Sequence, residues 1–343
     1  MKNVYKYNIY IYYKQSTMTT TIIPELTQEL QQKLSARLHG GKPLSESSIK
    51  LYLTNLRKLN DGEPIKNLKF LDKPELIKEK LADYKPTTAR TLYIAIVSCL
   101  AVLKDKSKKM EKMWKAYTEQ MLTLNKDVQV QRASGEKTET QAANWIEPEE
   151  IESNYEALKM AVDGFKDSAK INKGQYTKLL QYMVFSLYKL IPPRRNLDYQ
   201  QMYVCKKAPT ADEDKNFYDV DAGEFFFNRF KTAKMEGQIM MKVPTELKEV
   251  IDLYLKHQPL MRDTKKLKTF CIPFLVSFTG EKLDKINSIT RVLNAIFSPK
   301  KIGSSMMRHF YLSNKYGDVA EAMKKDAAAM SHSTATQKEY IVN

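Results

Sequence analysis

Residues 176–190 read YTKLLQYMVFSLYKL and run directly into IPPRRNLD. A helix built from the first stretch is so apolar that it belongs inside a core. It cannot continue past Pro192 and Pro193, because proline lacks the N–H and clashes with the preceding turn. The chain must therefore leave a buried helix abruptly, and at that exit it presents Arg194 and Arg195, with Asp198 close behind. Everything around residues 176–190 has to supply the layers that cover that helix. With 343 residues and roughly 150 per domain, there is chain enough for about two domains.

Organisation on either side follows from periodicity and breakers. Residues 1–23 are tyrosine-rich and lack the apolar centre of a signal peptide, so they read as a disordered or strand-like extension. Residues 24–124 read as a helical domain. PELTQELQQKLSARLHGG closes on Gly40-Gly41, and SESSIKLYLTNLRKL opens on Ser45. TTARTLYIAIVSCLAVLK is apolar nearly all round and suits the buried member of a small bundle. KDKSKKMEKMWKAYTEQM is basic, with a solvated face and a DNA-facing surface as its two readings. Residues 125–144 are polar and aperiodic, as a linker would be. Residues 145–343 form the second domain. After the prolines come three β-like runs, QMYVCKK, EFFFNRFKT and GQIMMKVP, the last two forming a hairpin around Glu236-Gly237. Helices then resume, and Asp318 with Glu321 gives a capping-box pattern for a last helix. The fold class expected is mainly α with a small antiparallel sheet, α+β.

The formal net charge is +16, which favours a polyanionic partner. Nucleic acid heads that class; an anionic membrane or an acidic protein would also answer to charge alone. No apolar run reaches the length of a membrane span. Cys99, Cys205 and Cys271 are few, odd in number and far apart, so no disulfide framework is expected and a reducing, intracellular compartment is the plain reading. None of His39, His257, His309 and His332 forms a metal-spaced pair, and there is no phosphate-binding glycine loop, so neither a metal nor a nucleotide cofactor is expected.

What remains is a set of cations and one tyrosine. Phosphoryl transfer needs cations on the non-bridging oxygens, an in-line nucleophile and an acid for the leaving oxygen. Arginine suits the first role through its planar, permanently charged fork. A tyrosine can attack phosphorus when neighbouring cations stabilise its phenolate. In chain order the sequence offers PPRRNLD, FKTAK, SMMRHFYLS, MSHS and then Tyr340, three residues from Asn343.

This order resembles the tyrosine recombinases over roughly residues 145–340. The resemblance implies a helical core-binding domain followed by a catalytic domain. It implies cleavage through a 3′-phosphotyrosyl DNA intermediate, and double-stranded DNA and a homo-oligomer, a tetramer, as partners. On it, Arg195 with Asp198 corresponds to the first box, Arg194 being the competing register. Lys231, or alternatively Lys234, corresponds to the hairpin lysine that protonates the leaving 5′ oxygen. Arg308 corresponds to the arginine of the HxxRH box, where Ser305 replaces the usual His or Lys; His309 reads as a core or supporting histidine. His332 corresponds to the GH box, with Ser331 replacing glycine, and Tyr340 to the nucleophile, eight residues on where nine are usual. Two other readings stand beside recombination or integration: relaxation of DNA by the same chemistry, as in type IB topoisomerases, and a DNA-binding protein on a catalytically degenerate scaffold.

Overall fold

A computed structural model describes residues 24–39, 41–209, 214–264 and 269–341. The amino-terminal extension of residues 1–23 lies outside them. The chain divides into two compact units, Met1–Glu136 and Lys137–Asn343.

The first unit is helical: α1 (Glu25–Ala36), a two-residue hairpin of β1 (Leu38–His39) and β2 (Lys42–Pro43), α2 (Glu46–Leu59), α3 (Pro74–Ala82), α4 (Pro86–Ala101) and α5 (Lys108–Ala133). The hydroxyl of Ser45 accepts the Ser48 N–H at the start of α2, and that of Ser107 accepts the Met110 N–H at the start of α5. Pro86 occupies the first turn of α4, where its missing N–H costs nothing. As its sequence requires, α4 is the central helix: Leu92, Ala95, Ile96, Cys99 and Leu100 are buried, and α1, α2 and α5 pack around it. The basic run that begins α5 is partly neutralised, since Lys106, Lys109 and Lys115 pair with Glu29, Asp72 and Glu111.

The second unit contains α6 (Glu139–Ala143), α7 (Pro148–Asp163), α8 (Lys173–Lys189), α9 (Asn196–Gln200), β3 (Met202–Cys205), β4 (Asn216–Asp219), β5 (Glu224–Phe227), α10 (Ala233–Glu236), β6 (Ile239–Lys242), α11 (Thr245–His257), α12 (Met261–Thr264), β7 (Cys271–Pro273), α13 (Ser288–Ile296), α14 (Ser304–Ala329) and α15 (Thr334–Tyr340). The apolar run of residues 176–190 lies in α8 and its C-cap. Leu179, Met183, Val184, Phe185 and Leu187 are fully buried, and α7, α11, α13 and α14 surround it. Asn172 caps it in a reciprocal box with Gln175. The sheet runs β6-β5-β4-β3-β7, and its inner face adds a cluster of rings: Tyr199, Tyr218, Phe225, Phe227 and Phe274.

Five expectations are corrected. The sheet is mixed rather than antiparallel, because β3 and β4 pair in parallel. Strand β4 escaped notice because it begins on Asn216 and ends on Asp219, both buried. Their side chains serve backbone: Asn216 Nδ2 donates to the carbonyls of Asp198 and Arg229, and the Asp219 carboxylate accepts the N–H groups of Ala208 and Ala222. The β5–β6 hairpin forms, but α10 sits in its connection. Residues 125–133 belong to α5 rather than to an aperiodic linker, and 139–143 form α6. Cys205 and Cys271 face each other across the β3–β7 register and are joined by a disulfide, which removes the ground for a reducing compartment. No spacing rule could reveal a pair 66 residues apart.

The fifth correction concerns the carboxyl-terminal helices. The two expected around Gly317-Asp318 are one helix of 26 residues, α14. An interior glycine costs about 1 kcal/mol relative to alanine, too little to interrupt a run of good helix formers. The Asp318/Glu321 pattern caps only a helix that starts there. Among the described residues no helix is long and apolar enough to cross a membrane.

Candidate functional site

The two prolines stop α8 as expected, and the chain turns so that Arg195 takes the N-cap position of α9, with extended backbone at φ −75°, ψ 149°. Arg194 is the arginine that the fold grips. Its Nε donates to Asp198 Oδ2 at 2.9 Å, and its guanidinium carbon sits 3.8 Å above the Phe227 ring and 5.1 Å from that of Phe230. The Asp198 side chain is 3% exposed. Burial pushes its carboxyl above the usual range, opposed by the charges of Arg194 and Arg195. The resemblance set Arg195 with Asp198 and left Arg194 as the competing register; the ion pair is made by Arg194, because the rings of Phe227 and Phe230 hold that guanidinium against α9. Arg195 is half-buried and makes no side-chain hydrogen bond or ion pair among the described residues.

Arg308 lies near the start of α14. Its Nε donates to the Ser304 carbonyl at 3.3 Å, and an Nη donates to Ser305 Oγ at 3.0 Å, as their i, i+3 spacing predicts. Tyr188 lies near the end of α8. Its hydroxyl donates to Asn196 Oδ1 at 2.6 Å, and Asn196 Nδ2 donates to Thr290 Oγ1 on α13 at 2.8 Å. Burial raises the Tyr188 hydroxyl far above its ordinary pKa; the Asp198 carboxylate adds to this, and the Arg308 guanidinium is near enough to oppose it. Asp198 and Arg308, more than a hundred residues apart in the chain, are thus both near enough to act on this buried tyrosine.

The β5–β6 connection is tied to this cluster through Asn216, which bonds the backbone of both Asp198 and Arg229, and through Phe230 beneath Arg194. Lys231 follows Phe230 directly and is exposed; Lys234 is exposed on α10. His309 is exposed rather than part of the core, because Met307 and Phe310 take the inward positions of α14. Its Nε2 lies 3.2 Å from Gln141 Nε2 on α6. The same end of α14 is anchored by Trp145 edge-on against Phe310 at 4.9 Å and by the Lys301 N–H on Asn144 Oδ1 at 2.6 Å.

His332 and Tyr340 lie elsewhere. They form a pair with rings 5.7 Å apart, Tyr340 being the last residue of α15 and His332 preceding its N-cap Ser333. The turn that makes this pair is built at the end of α14, where the His332 N–H bonds Ala327 O and the Ser331 N–H bonds Ala328 O, a Schellman motif. Ser331 pays for it with φ +55°, a left-handed backbone that glycine adopts freely. Ser331→Gly is expected to stabilise this turn by up to about 1 kcal/mol, measured as slower amide exchange at Ser331 and His332. His332 Nε2 is shielded from solvent and has no hydrogen-bond partner among the described residues, whereas Tyr340 is 72% exposed.

No family model, curated protein or solved structure matches this chain.

The geometry divides the expected site into two parts. One is the arginine cluster with Asp198 and the lysine-bearing connection; the other is the His332–Tyr340 pair. They are joined by α14, unbroken from Ser304 to Ala329, and at about 1.5 Å per residue the pair stands about 30 Å along the axis from Arg308. Tyr188, Asn196, Asn216, Phe227 and Phe230, which organise the cluster, carried no signal in the sequence, since each acts through a neighbour distant in the chain. Among the described residues no group of three or more His, Cys, Asp or Glu side chains comes together in a way that could hold a metal ion.

Proposed function

We propose that this protein cleaves and rejoins DNA in the manner of the tyrosine recombinases. The observation that carries the reading is the pair Arg194 and Arg195 at the exit of α8 beside the buried Asp198, with Arg308 at the start of α14 near enough to act, as Asp198 does, on the buried Tyr188. Several permanent cations, one of them held by a buried carboxylate, suit the non-bridging oxygens of a phosphodiester. Tyr340 Oη forms a bond to phosphorus as the bond from phosphorus to the 5′ oxygen breaks. The phenolic proton passes to water, and the departing 5′ oxygen takes a proton from Lys231 or Lys234. Attack of a 5′ hydroxyl on the 3′-phosphotyrosyl bond reverses the step: a different hydroxyl gives recombination or integration, the original one gives relaxation. Double-stranded DNA is the partner. The net charge of +16 supports the same partner.

The test is a pool of randomised, nicked duplexes incubated with the protein and analysed under denaturing conditions. Wild type is expected to form a covalent protein–DNA adduct and Tyr340→Phe none. Absence of any adduct from wild type, with DNA binding retained, would instead favour the non-cleaving binding protein. That second reading draws on Ser305, whose hydroxyl can donate to phosphate but is not a general base at neutral pH, and on the separation of Tyr340 from Arg308. Binding itself is expected to weaken steeply with salt, by about 10³-fold or more between 50 and 200 mM for six or more phosphate contacts. Titrations at several salt concentrations measure it.

A further inference from the structure

We propose that Asn196 and Thr290 are positioning residues: the hydrogen bond between them ties the segment that carries Arg195 to the helix that seats Arg308, and so fixes the spacing at which both guanidiniums can hold one phosphate. The inference rests on the cleavage reading above and concerns what keeps its arginines in register. Arg195 makes no side-chain hydrogen bond or ion pair among the described residues, so its backbone places it. That backbone is the N-cap of α9, a helix of five residues. A helix so short is not stable by itself, and its position must come from tertiary contacts.

Helix α13 and the turn before it supply them. Asn196 is the first residue of α9, and its Nδ2 donates to Thr290 Oγ1 at 2.8 Å. Gln200 is the last, and its Nε2 donates to Ser288 Oγ at 2.9 Å and to the Lys285 carbonyl at 2.7 Å. Tyr188 decides which way the Asn196 amide faces. Its hydroxyl donates to Oδ1, which leaves Nδ2 for Thr290. Burial keeps that hydroxyl protonated, so it stays a donor at ordinary pH.

The same helix holds the approach to α14. Asn294 Oδ1 accepts the Ile302 N–H at 2.7 Å. A Cβ on Gly303, the N-cap of α14, would lie 3.9 Å from Thr290 Cγ2. Helix α13 is itself fixed in the core by Ile289 and Leu293, both fully buried. Thr290 thus stands between the residue that follows Arg195 and the residue that opens the helix of Arg308: its hydroxyl reaches the first, and its methyl borders the second. Arg194 is held separately by Asp198 and the rings of Phe227 and Phe230, and Gln200 pins the far end of α9. Losing the Asn196–Thr290 bond therefore frees the Arg195 end and leaves the rest in place. A misplacement of about 1 Å at a reacting centre can cost about 10²-fold in rate.

The experiment uses full-length protein in excess over a nicked duplex drawn from the adduct assay. It reads the rate at saturation and the protein concentration that gives half that rate. Thr290→Val keeps the shape of the side chain and removes its hydroxyl. It is expected to lower the saturated rate by about 10- to 100-fold. The half-saturating concentration should not change, because affinity is spread over many phosphate contacts. Thr290→Ser returns the hydroxyl and should react within about threefold of wild type. Asn196→Ala removes the bond from its other end and should repeat the Thr290→Val result. Thr290→Val should melt no more than about 2–4 °C below wild type. In an Arg308→Ala background Thr290→Val should cost nothing further, since no second guanidinium is left to keep in register. Wild type may be compared with Thr290→Val in three ways that each overturn the positioning role and leave the cleavage reading in place: equal rates, a change in the half-saturating concentration alone, or an equal loss with Arg308 present and absent. Wild type forming no adduct overturns the cleavage reading, and the positioning role falls with it.

Discussion

Arg308→Ala is expected to lower adduct formation by about 10²- to 10³-fold, the usual loss when one donor to a developing phosphoryl or oxyanion charge is removed. The fold should survive this change. Apart from its long-range effect on Tyr188, the side chain bonds among the described residues to Ser304 O and Ser305 Oγ within its own helix, whereas the inward face of that turn is held by Met307 and Phe310. Arg308→Lys keeps the charge but loses the planar fork, so it should recover only part of the rate. Rates of adduct formation measured beside thermal melts separate the two effects. An Arg308→Ala protein that melts as wild type and reacts at the wild-type rate would remove this residue from the chemistry.

Phe227→Ala is expected to have the largest effect on stability, a loss of about 3–5 kcal/mol. The ring is fully buried and lies 5.7 Å from Phe225 and 6.2 Å from Tyr199, so its removal opens a cavity in the centre of the aromatic cluster. It also removes the face on which the Arg194 guanidinium rests at 3.8 Å. Phe227→Leu distinguishes these roles. It preserves most of the apolar volume and should cost less than about 1.5 kcal/mol, while still removing the ring beneath Arg194. If Phe227 serves the site as well as the core, Phe227→Leu loses DNA affinity or adduct formation out of proportion to its loss of stability. Urea denaturation midpoints and binding titrations on the two variants provide the comparison.

Much of the secondary structure was legible because local rules decided it. The apolar density of residues 176–190 and 87–104 marked α8 and α4 as interior helices, and the prolines at 192 and 193 ended α8 whatever lay around them. Serine caps opened α2 and α5 by bonds that span three residues. Strand β4 was hidden because Asn216 and Asp219 look like turn residues until the backbone groups that they serve are known. The Cys205–Cys271 pair was hidden because only the β3–β7 register brings the two side chains together.

The candidate site divides along the same line. The sequence alone determined which residue types were available: an arginine pair after a helix stop, a third arginine with Ser305 on its helix face, and a histidine and tyrosine near the carboxyl end. It could not choose between Arg194 and Arg195 as partner of Asp198. That choice depends on Phe227 and Phe230, which a strand and its following turn carry to the spot. Nor could it show that α14 runs through Gly317, because a cap pattern and a helix interior compete there by about 1 kcal/mol. Helix stops and caps act through neighbours in the chain and can be read from it. The distance from Arg308 to Tyr340 depends on whether one helix continues or breaks, and only the folded chain decides that.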